Sequence, residues 1–216
     1  AFRIPENINF NINVVAGNVK YFDLNLKNVQ SVIALKECQL SIDKLRADAL
    51  GGGISLKGLY KCSDPSRPTA SLGINLNNVS FAETFKSINV VKSLAPVFEK
   101  VQGQYSMTFD FKTDMDKYMN PLPGSITGNG LISSRNVKLS GLKVFDLITG
   151  TIKNESLKNL SAKDLNLKFG IENGKIKTSP FTLNFGQAKI KLEGSTGIDK
   201  TIDYVFDLSL PASMSY

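Results

Sequence analysis

Apolar and polar residues alternate along most of this chain. The segments INFNINVV, ASLGINL, YSMTFDF and TIDYVFDLSL carry an apolar residue at every second position. Because successive side chains of a strand point to opposite faces, this period predicts strands with one buried face and one solvated face. The sequences VAGN, ENGK and GNG are typical of turns and separate the strands at hairpin distances. We predict a mainly β (α+β) fold in which repeated antiparallel meander units form a curved sheet or groove.

Two segments break the alternation and predict amphipathic helices. In residues 80–101, Ser80 and Glu83 have the spacing of a capping box, and apolar residues then recur at helical intervals. Pro96 is expected to kink this segment or to split it into two short helices. The sequence SGLKVFDLITG has a weaker helical pattern. We expect a few such helices to cover part of the apolar face as core, with membrane insertion or partner binding as the alternative.

The chain contains a candidate internal repeat with an offset of 136 residues. Residues 27–58 align without a gap with residues 163–194, and apolar positions coincide although only four of the 32 positions are identical. The identical pairs are Lys27/Lys163, Ile54/Ile190, Leu56/Leu192 and Gly58/Gly194. The shared apolar pattern predicts a duplicated unit of three or four antiparallel strands. We predict a single domain over residues 1–216, with the duplication at approximately 21–78 and 157–210 and a helical insert at approximately 80–101.

Three consecutive glycines, Gly51 to Gly53, raise the question of a phosphate-binding loop. Such a loop needs successive backbone N–H groups that open a helix, whereas these glycines open ISLKGLY, which alternates like a strand. At the corresponding place between two strands the second copy has Gly186, Gln187 and Ala188, so it carries one glycine where the first copy carries three. We therefore predict a hairpin turn in which glycine supplies a positive φ.

The same hairpin makes a prediction about the two cysteines. If its centre lies near Leu50, opposed residues have numbers that sum to about 100, and Cys38 and Cys62 meet this condition. Cysteines that face each other across adjacent strands form a disulfide in an oxidising compartment. The sequence leaves two interpretations open, a Cys38–Cys62 disulfide or two separate thiols.

The charge balance favours anionic partners. The chain has 26 Lys and Arg against 19 Asp and Glu, a net charge of +7. The basic residues are scattered along alternating segments, so we expect most of them on the solvated faces of strands. The sequence lacks two signatures of nucleic-acid-binding proteins, the aromatic–basic pattern of an RNA-recognition sheet and helix-turn-helix spacing. We therefore predict no nucleic-acid partner.

The sequence also limits the chemistry. It contains no His, which excludes a Ser/His/Asp triad, a Cys/His pair and an imidazole-bearing zinc site. Asp114 and Asp116 stand close together, but a cation site there has no third ligand nearby, and solvated loop charge is the alternative. We predict no enzyme activity, no catalytic residues, no metal site and no cofactor.

The sequence shows neither the pattern of a signal peptide nor that of a transmembrane helix. No apolar run approaches the roughly 20 residues needed to cross a bilayer, and AFRIPENINF at the start lacks a signal-peptide pattern. Because this start lies within a strand-like alternation, we expect the chain to be a fragment of a longer protein.

Four stretches, in their order and spacing, carry a resemblance to a known family. They are ALGGGISLKGLY, NNVSFAETFKSINVVKSLAPVFEKVQGQYSMTFDF, MNPLPGSITGNGLISSRNVKLSGLKVFDLI and LKNLSAKDLNLKFGIENGKIKTSPFTLNFGQAKIKLEGSTGIDKTIDYVFDLSLPASM. On these stretches, nearly the whole chain resembles the C-terminal region of the AsmA family of Gram-negative envelope proteins. The resemblance implies a periplasmic domain, an inner-membrane anchor at an N-terminus outside this chain, and a role in outer-membrane assembly. It brings no catalytic motif, and it implies lipid transport because relatives are linked to phospholipid movement along β-sheet grooves.

These expectations converge on an apolar trough that binds phospholipid or another envelope lipid. Each buried CH₂ of an acyl chain contributes about 0.8 kcal/mol. The candidate lining residues alternate on one face of the repeated strands and are Ile54, Leu56, Ile190, Leu192, Tyr204, Phe206 and Leu208. The alternative is a structural module with a closed core and no ligand that contacts other envelope proteins.

Overall fold

The computed structural model describes residues 7–62, 64, 66–116, 118, 120–140, 159–185, 188–197, 199 and 201–209. Within these residues the chain forms eleven strands, and each strand pairs antiparallel with the next one in the sequence. The result is one meander sheet that is not closed, with β1 and β11 at its edges. The predicted mainly β, antiparallel meander is confirmed.

The strands of the described part of the chain are 8 to 14 residues long. Their bounds are β1 Phe10–Tyr21, β2 Leu24–Lys36, β3 Gln39–Ala49, β4 Gly52–Lys61, β5 Thr69–Ser80, β6 Val101–Asp114, β7 Thr127–Ser140, β8 Asn159–Glu172, β9 Lys175–Phe185, β10 Ala188–Gly197 and β11 Ile202–Ser209. Two short helices, α1 Phe81–Ser87 and α2 Asn89–Leu94, and a 3-10 turn, Pro96–Lys100, connect β5 to β6. A second 3-10 turn, Pro123–Ser125, precedes β7.

The helical segment begins at the residue that the sequence predicts. Ser80 Oγ accepts a hydrogen bond from Glu83 N at 3.3 Å, which caps α1. In a full capping box the Glu83 side chain would accept a hydrogen bond from Ser80 N. Here Ser80 N donates to Leu50 O instead, at 2.8 Å. The chain leaves helical geometry at Ile88 as well as before Pro96, so the segment is divided twice. The weaker helical prediction in SGLKVFDLITG falls on residues 141–150, outside the described residues.

Of the three predicted turns, one is correct and two lie inside strands. ENGK forms the turn between β8 and β9, with positive φ at Asn173 and Gly174. VAGN lies within β1, which pairs with β2 on both sides of Gly17, and GNG lies within β7. These glycines are explained by packing and not by a turn, because neighbouring groups occupy the space that their side chains would need. An added Cβ at Gly130 would collide with the Phe169 ring.

Bulges interrupt β2 and β5 at asparagines that have positive φ. Asn28 and Asn78 have φ of 52° and 54°, and the pairing register shifts beside each of them. Asp164 in β8 also has positive φ, at 56°, but keeps its pairing register with β7. A bulge bends its strand and increases the local twist. Asn28 and Asn78 are therefore positions at which β2 and β5 bend.

The strands that the predicted duplication aligns have corresponding bounds. β3 and β9 cover 39–49 and 175–185, while β4 and β10 cover 52–61 and 188–197, each an offset of 136. The register shift between Ile42 and Leu45 in β3 has its counterpart between Thr178 and Phe181 in β9. The duplication and its domain boundaries stay a prediction about the origin of this pattern.

Candidate functional site

One face of the sheet, which we call the apolar face, carries apolar side chains on many consecutive strands. Residues that are partners across paired strands lie on the same face, so the register can be followed from β3 to β11. One such row contains Leu45, Leu56, Ile74, Phe109, Gly130, Phe169, Thr178, Gly194 and Tyr204. Every strand in this row contributes an apolar residue, a glycine or a threonine. The face is therefore continuous over nine strands.

Aromatic rings pack across the glycines of this row. The Phe169 ring lies over Gly130, and its centroid is 5.4 Å from the Phe109 ring on the far side of β7. Phe109 also stacks on Phe111, with centroids 5.2 Å apart. Because glycine has no side chain, residues two strands apart come into contact there. The glycines thus join the apolar side chains of β6 and β8.

The predicted lining residues all lie on the apolar face, in two separate groups. Ile54 and Leu56 are on β4 and are half-buried. The other five are on β10 and β11, where Ile190 pairs with Leu208 and Leu192 pairs with Phe206. Six strand spacings, roughly 29 Å along the sheet, separate β4 from β10. The prediction that these residues line a lipid groove stays a prediction.

The exposure of the face increases toward the edges of the sheet. On the edge strand β11, Ile202, Tyr204 and Phe206 are 67%, 37% and 49% exposed, and on β1 Phe10 and Ile12 are 43% and 44% exposed. In the described part of the chain, the packed element pairs are sequential strands and the helical segment with its neighbours, and no second sheet packs on this face. Its middle is nevertheless half-buried or buried.

Aromatic side chains of the helical segment pack against the main apolar cluster at one end of the sheet, and the prediction that amphipathic helices cover part of the apolar face stays a prediction. Phe81 is 2% exposed, and its ring centroid lies 4.9 Å from that of Phe98 and 4.4 Å from that of Tyr105. Thr84 Oγ1 donates to Ser80 O at 2.8 Å and lies 3.0 Å from the Tyr105 hydroxyl. Because the single Thr84 hydroxyl hydrogen is used by Ser80, Tyr105 donates to Thr84. Burial raises the pKa of Tyr105.

A second, smaller cluster lies at the opposite end of the face. Tyr60 and Cys62 are buried there against Leu35, Leu40 and Met115. Burial, and secondly the nearby Cys62 thiol, raise the pKa of Tyr60. Among the described residues the buried Tyr60 hydroxyl has no hydrogen-bond partner, so none of them gives it the stabilisation that Tyr105 gains from Thr84.

The two cysteines stand opposite each other at the ends of β3 and β4. Gln39 pairs with Lys61, and the next pair outward is Cys38 with Cys62, whose N donates to Cys38 O at 3.0 Å. The Cys62 thiol donates to the same oxygen at 3.1 Å. The sulfur atoms are not joined in this structure. The backbone places the two residues side by side. The disulfide between them stays a prediction.

The three consecutive glycines occupy a hairpin turn and the start of β4. Leu50 and Gly51, with φ of 55° and 76°, form the turn, so only one of the glycines supplies a positive φ. An added Cβ at Gly52 would collide with backbone atoms of Asn77 and Asn78, whereas at Gly53 its nearest neighbour would be 3.9 Å away. The glycines open a strand and not a helix.

The opposite face is polar and contains a shallow depression of about 880 Å³. Its rim includes Asp43, Lys57, Asp110 and Lys112, and its floor is low because Gly73 has no side chain. Charges of both signs, exposed to solvent, surround the depression. This face matches the expected solvated side of the strands.

The ionisable groups with lowered pKa values have local, structural causes. Hydrogen bonds from the Ser66 side chain and backbone lower the pKa of Asp64, and those from Thr201 lower the pKa of Asp199. Asp116 accepts bonds from Tyr118 N, Asn120 N and Asn120 Nδ2 at 2.8 to 3.0 Å, so its carboxylate organises its own loop. Among the described residues, no group of three or more His, Cys, Asp or Glu has the arrangement of a metal site.

Several residues of the apolar face were not among the predicted lining residues. Phe109, Phe169 and Phe181 lie on it or pack against its main cluster. The alternation of each strand contains this information. The sequence does not contain the register, which decides which alternating residues join one continuous row.

The helices of the described part of the chain are too short for a transmembrane span. Comparison with family models, with curated proteins and with solved structures finds no match for this chain.

Proposed function

We propose that this chain is a non-catalytic lipid-binding domain of an AsmA-like protein in the periplasm of a Gram-negative bacterium, where it acts in outer-membrane assembly or lipid homeostasis. The observation that carries the proposal is the continuous apolar face, on which no second sheet packs in the described part of the chain. An apolar surface of this extent marks a binding site for a partner or a ligand. The family assignment rests on the sequence motifs quoted above.

The shape of the face supports a groove. Bulges at Asn28 and Asn78 bend the strands that carry them. Leu183 and Ile190 on the apolar face are only 9% and 6% exposed. Such burial without a covering sheet is expected when a sheet curves toward its apolar side, because the curvature brings neighbouring rows of side chains together.

The chemistry of the face matches acyl chains. It offers aliphatic and aromatic side chains, with buried hydroxyl groups between them at positions such as Ser31, Ser134 and Thr196. Strands of 10 to 14 residues span roughly 33 to 46 Å, longer than an extended acyl chain. With about 0.8 kcal/mol from each buried CH₂, an acyl chain that occupies part of the face gains enough to remain bound. The net charge of +7 suits an anionic headgroup at the rim.

Variants of the two faces of the same strands test this proposal. Leu56→Gln with Leu192→Gln introduces polar groups on the apolar face, and Ser55→Gln with Lys191→Gln places the same residue on the polar face of β4 and β10. We expect the first pair of changes to weaken binding of a fluorescent fatty acid about tenfold or more, and the second pair to leave it unchanged. Equal effects of both pairs, with both variants folded by circular dichroism, would contradict a lipid site on the apolar face.

The second candidate function is a structural module that binds other envelope proteins. The edge strand β1 favours it, because FNINVVAGNVKY carries a single charged residue and no strand of the described residues pairs with its outer side. This function predicts that the wild-type chain binds no fatty acid and forms complexes through β1. Substitution of Val15 by Pro at the edge would then abolish the complexes.

A further inference from the structure

The turn between β1 and β2 exposes two aromatic side chains in a strained conformation. Tyr21 and Phe22 are 64% and 78% exposed, and their rings form an edge-to-face pair with centroids 4.8 Å apart. Phe22 has a φ of 50°, a region that bulky residues rarely occupy. We call Tyr21 and Phe22 the aromatic tip.

Phe22 lowers the stability of the fold in two ways, through its exposed apolar ring and through its positive φ, and Asn or Gly at this position would avoid both. Two-residue hairpin turns favour Asn, Asp or Gly where φ is positive. The turn between β8 and β9 has that chemistry, with Asn173 and Gly174 at φ of 52° and 70°. Phe22 keeps its ring in water and its backbone strained. A strained residue on a surface is expected where it serves a function.

The aromatic tip is continuous with the apolar face. Tyr21 pairs with Leu24, and Val19 pairs with Leu26. Leu24 and Leu26 pack against the main apolar cluster, which extends to β10 and β11. An apolar surface therefore runs from the end of the hairpin onto the sheet without a polar interruption on that side.

We propose that the aromatic tip inserts into the interface of a lipid bilayer and anchors this end of the sheet on the membrane. Tyr and other aromatic residues with a polar handle concentrate at bilayer interfaces, where one part of the side chain is apolar and the other contacts water. Two aromatic side chains bury roughly 300 to 500 Å², less than the roughly 800 Å² that one partner of a stable protein complex buries. A bilayer needs no such area or shape match.

The charges beside the aromatic tip determine how binding responds to salt. Lys20 and Asp23 flank it and are both exposed. Because their charges are opposite, the local net charge is zero. Binding is therefore expected on phosphatidylcholine vesicles as well as on vesicles of phosphatidylethanolamine with phosphatidylglycerol, and it is expected to persist in high salt.

The proposal predicts opposite changes in stability and membrane binding for one substitution. Phe22→Asn suits the positive φ, so we expect the melting temperature to rise by roughly 2–4 °C. We expect cosedimentation with both kinds of vesicle to weaken about tenfold or more, because one buried ring contributes that much. Glu37→Asn, in another turn at a φ of 47°, is the control that relieves similar strain and leaves vesicle binding unchanged.

A fluorescence experiment locates the insertion. The protein has no Trp, so Phe22→Trp introduces the only indole. Its emission is expected to shift to the blue when phosphatidylcholine vesicles are added, whereas that of Val15→Trp, on the polar side of β1 at 83% exposure, is not. Vesicle binding that is the same for Phe22→Asn and the wild type, or an unshifted Phe22→Trp spectrum, overturns the proposal and favours a protein partner. These readouts need no bound lipid, so they are independent of the proposed function.

Discussion

Neighbouring glycines of this chain differ in what they contribute. An added Cβ at Gly52 would meet the backbone of β5, and at Gly53 it would only touch the Asn77 side chain. We expect Gly52→Ala to lower the free energy of unfolding by about 2 kcal/mol or more, and Gly53→Ala to change it by about 0.5 kcal/mol or less. Urea denaturation of both variants measures this difference. Equal losses would contradict the close approach of β4 and β5 at Gly52.

Two buried tyrosines also differ, because only one of their hydroxyl groups is hydrogen-bonded. Tyr105 donates to Thr84, so Tyr105→Phe is expected to cost about 1–2 kcal/mol. The Tyr60 hydroxyl has no hydrogen-bond partner in the described part of the chain, so Tyr60→Phe is expected to be neutral or slightly stabilising. Thermal denaturation at neutral pH compares them. A larger loss for Tyr60→Phe would contradict the assigned partners.

The Tyr105 hydroxyl also predicts a pH dependence. Burial raises the pKa of Tyr105 above its ordinary value of 10.0, so the unfolded chain releases this proton at lower pH than the folded one. The contribution to stability is complete below pH 10 and is lost as the pH rises through the folded-state pKa. We expect the unfolding free energy of the wild type to fall more steeply above pH 10 than that of Tyr105→Phe. Parallel curves would contradict this.

At the scale of elements, the helical segment stabilises the fold mainly through the buried ring of Phe81. Phe81 is buried between Phe98 and Tyr105, and Val97 in the same segment is 43% exposed. We expect Phe81→Ala to cost about 3–5 kcal/mol and Val97→Ala about 0.5 kcal/mol or less. Chemical denaturation checks both. A small effect at Phe81 would mean that the segment does not pack on the sheet.

The strands were predictable from the sequence, and their irregularities were not. Alternation identifies β1, β5, β6 and β11 because one face of each is apolar. It does not reveal that the glycines near Phe169 belong to β7, since only the fold places a ring over Gly130. Cys38 lies opposite Cys62 only because of a bulge. The residue numbers of paired residues sum to 101 near the turn, as for Ala49 with Gly52, and to 100 beyond the register shift at Ile42.

At the scale of the whole molecule, the meander joins these strands into a single sheet with two different sides. The sequence could predict that each strand has an apolar side, because that is a local property. It could not predict that the candidate residues of β4 and β10 lie on one face about 29 Å apart, because that depends on the pairing of all strands between them. The two groups of predicted lining residues therefore mark distant parts of one surface.

Lipid held on the apolar face should remain with the protein during purification. Native mass spectrometry of the wild-type chain, purified without detergent from a Gram-negative host, detects it. We expect a population heavier than the bare chain by the mass of a phospholipid, and its loss in Leu56→Gln with Leu192→Gln. A wild-type chain that is folded and carries only its own mass, also after incubation with phospholipid, would contradict lipid binding on this face.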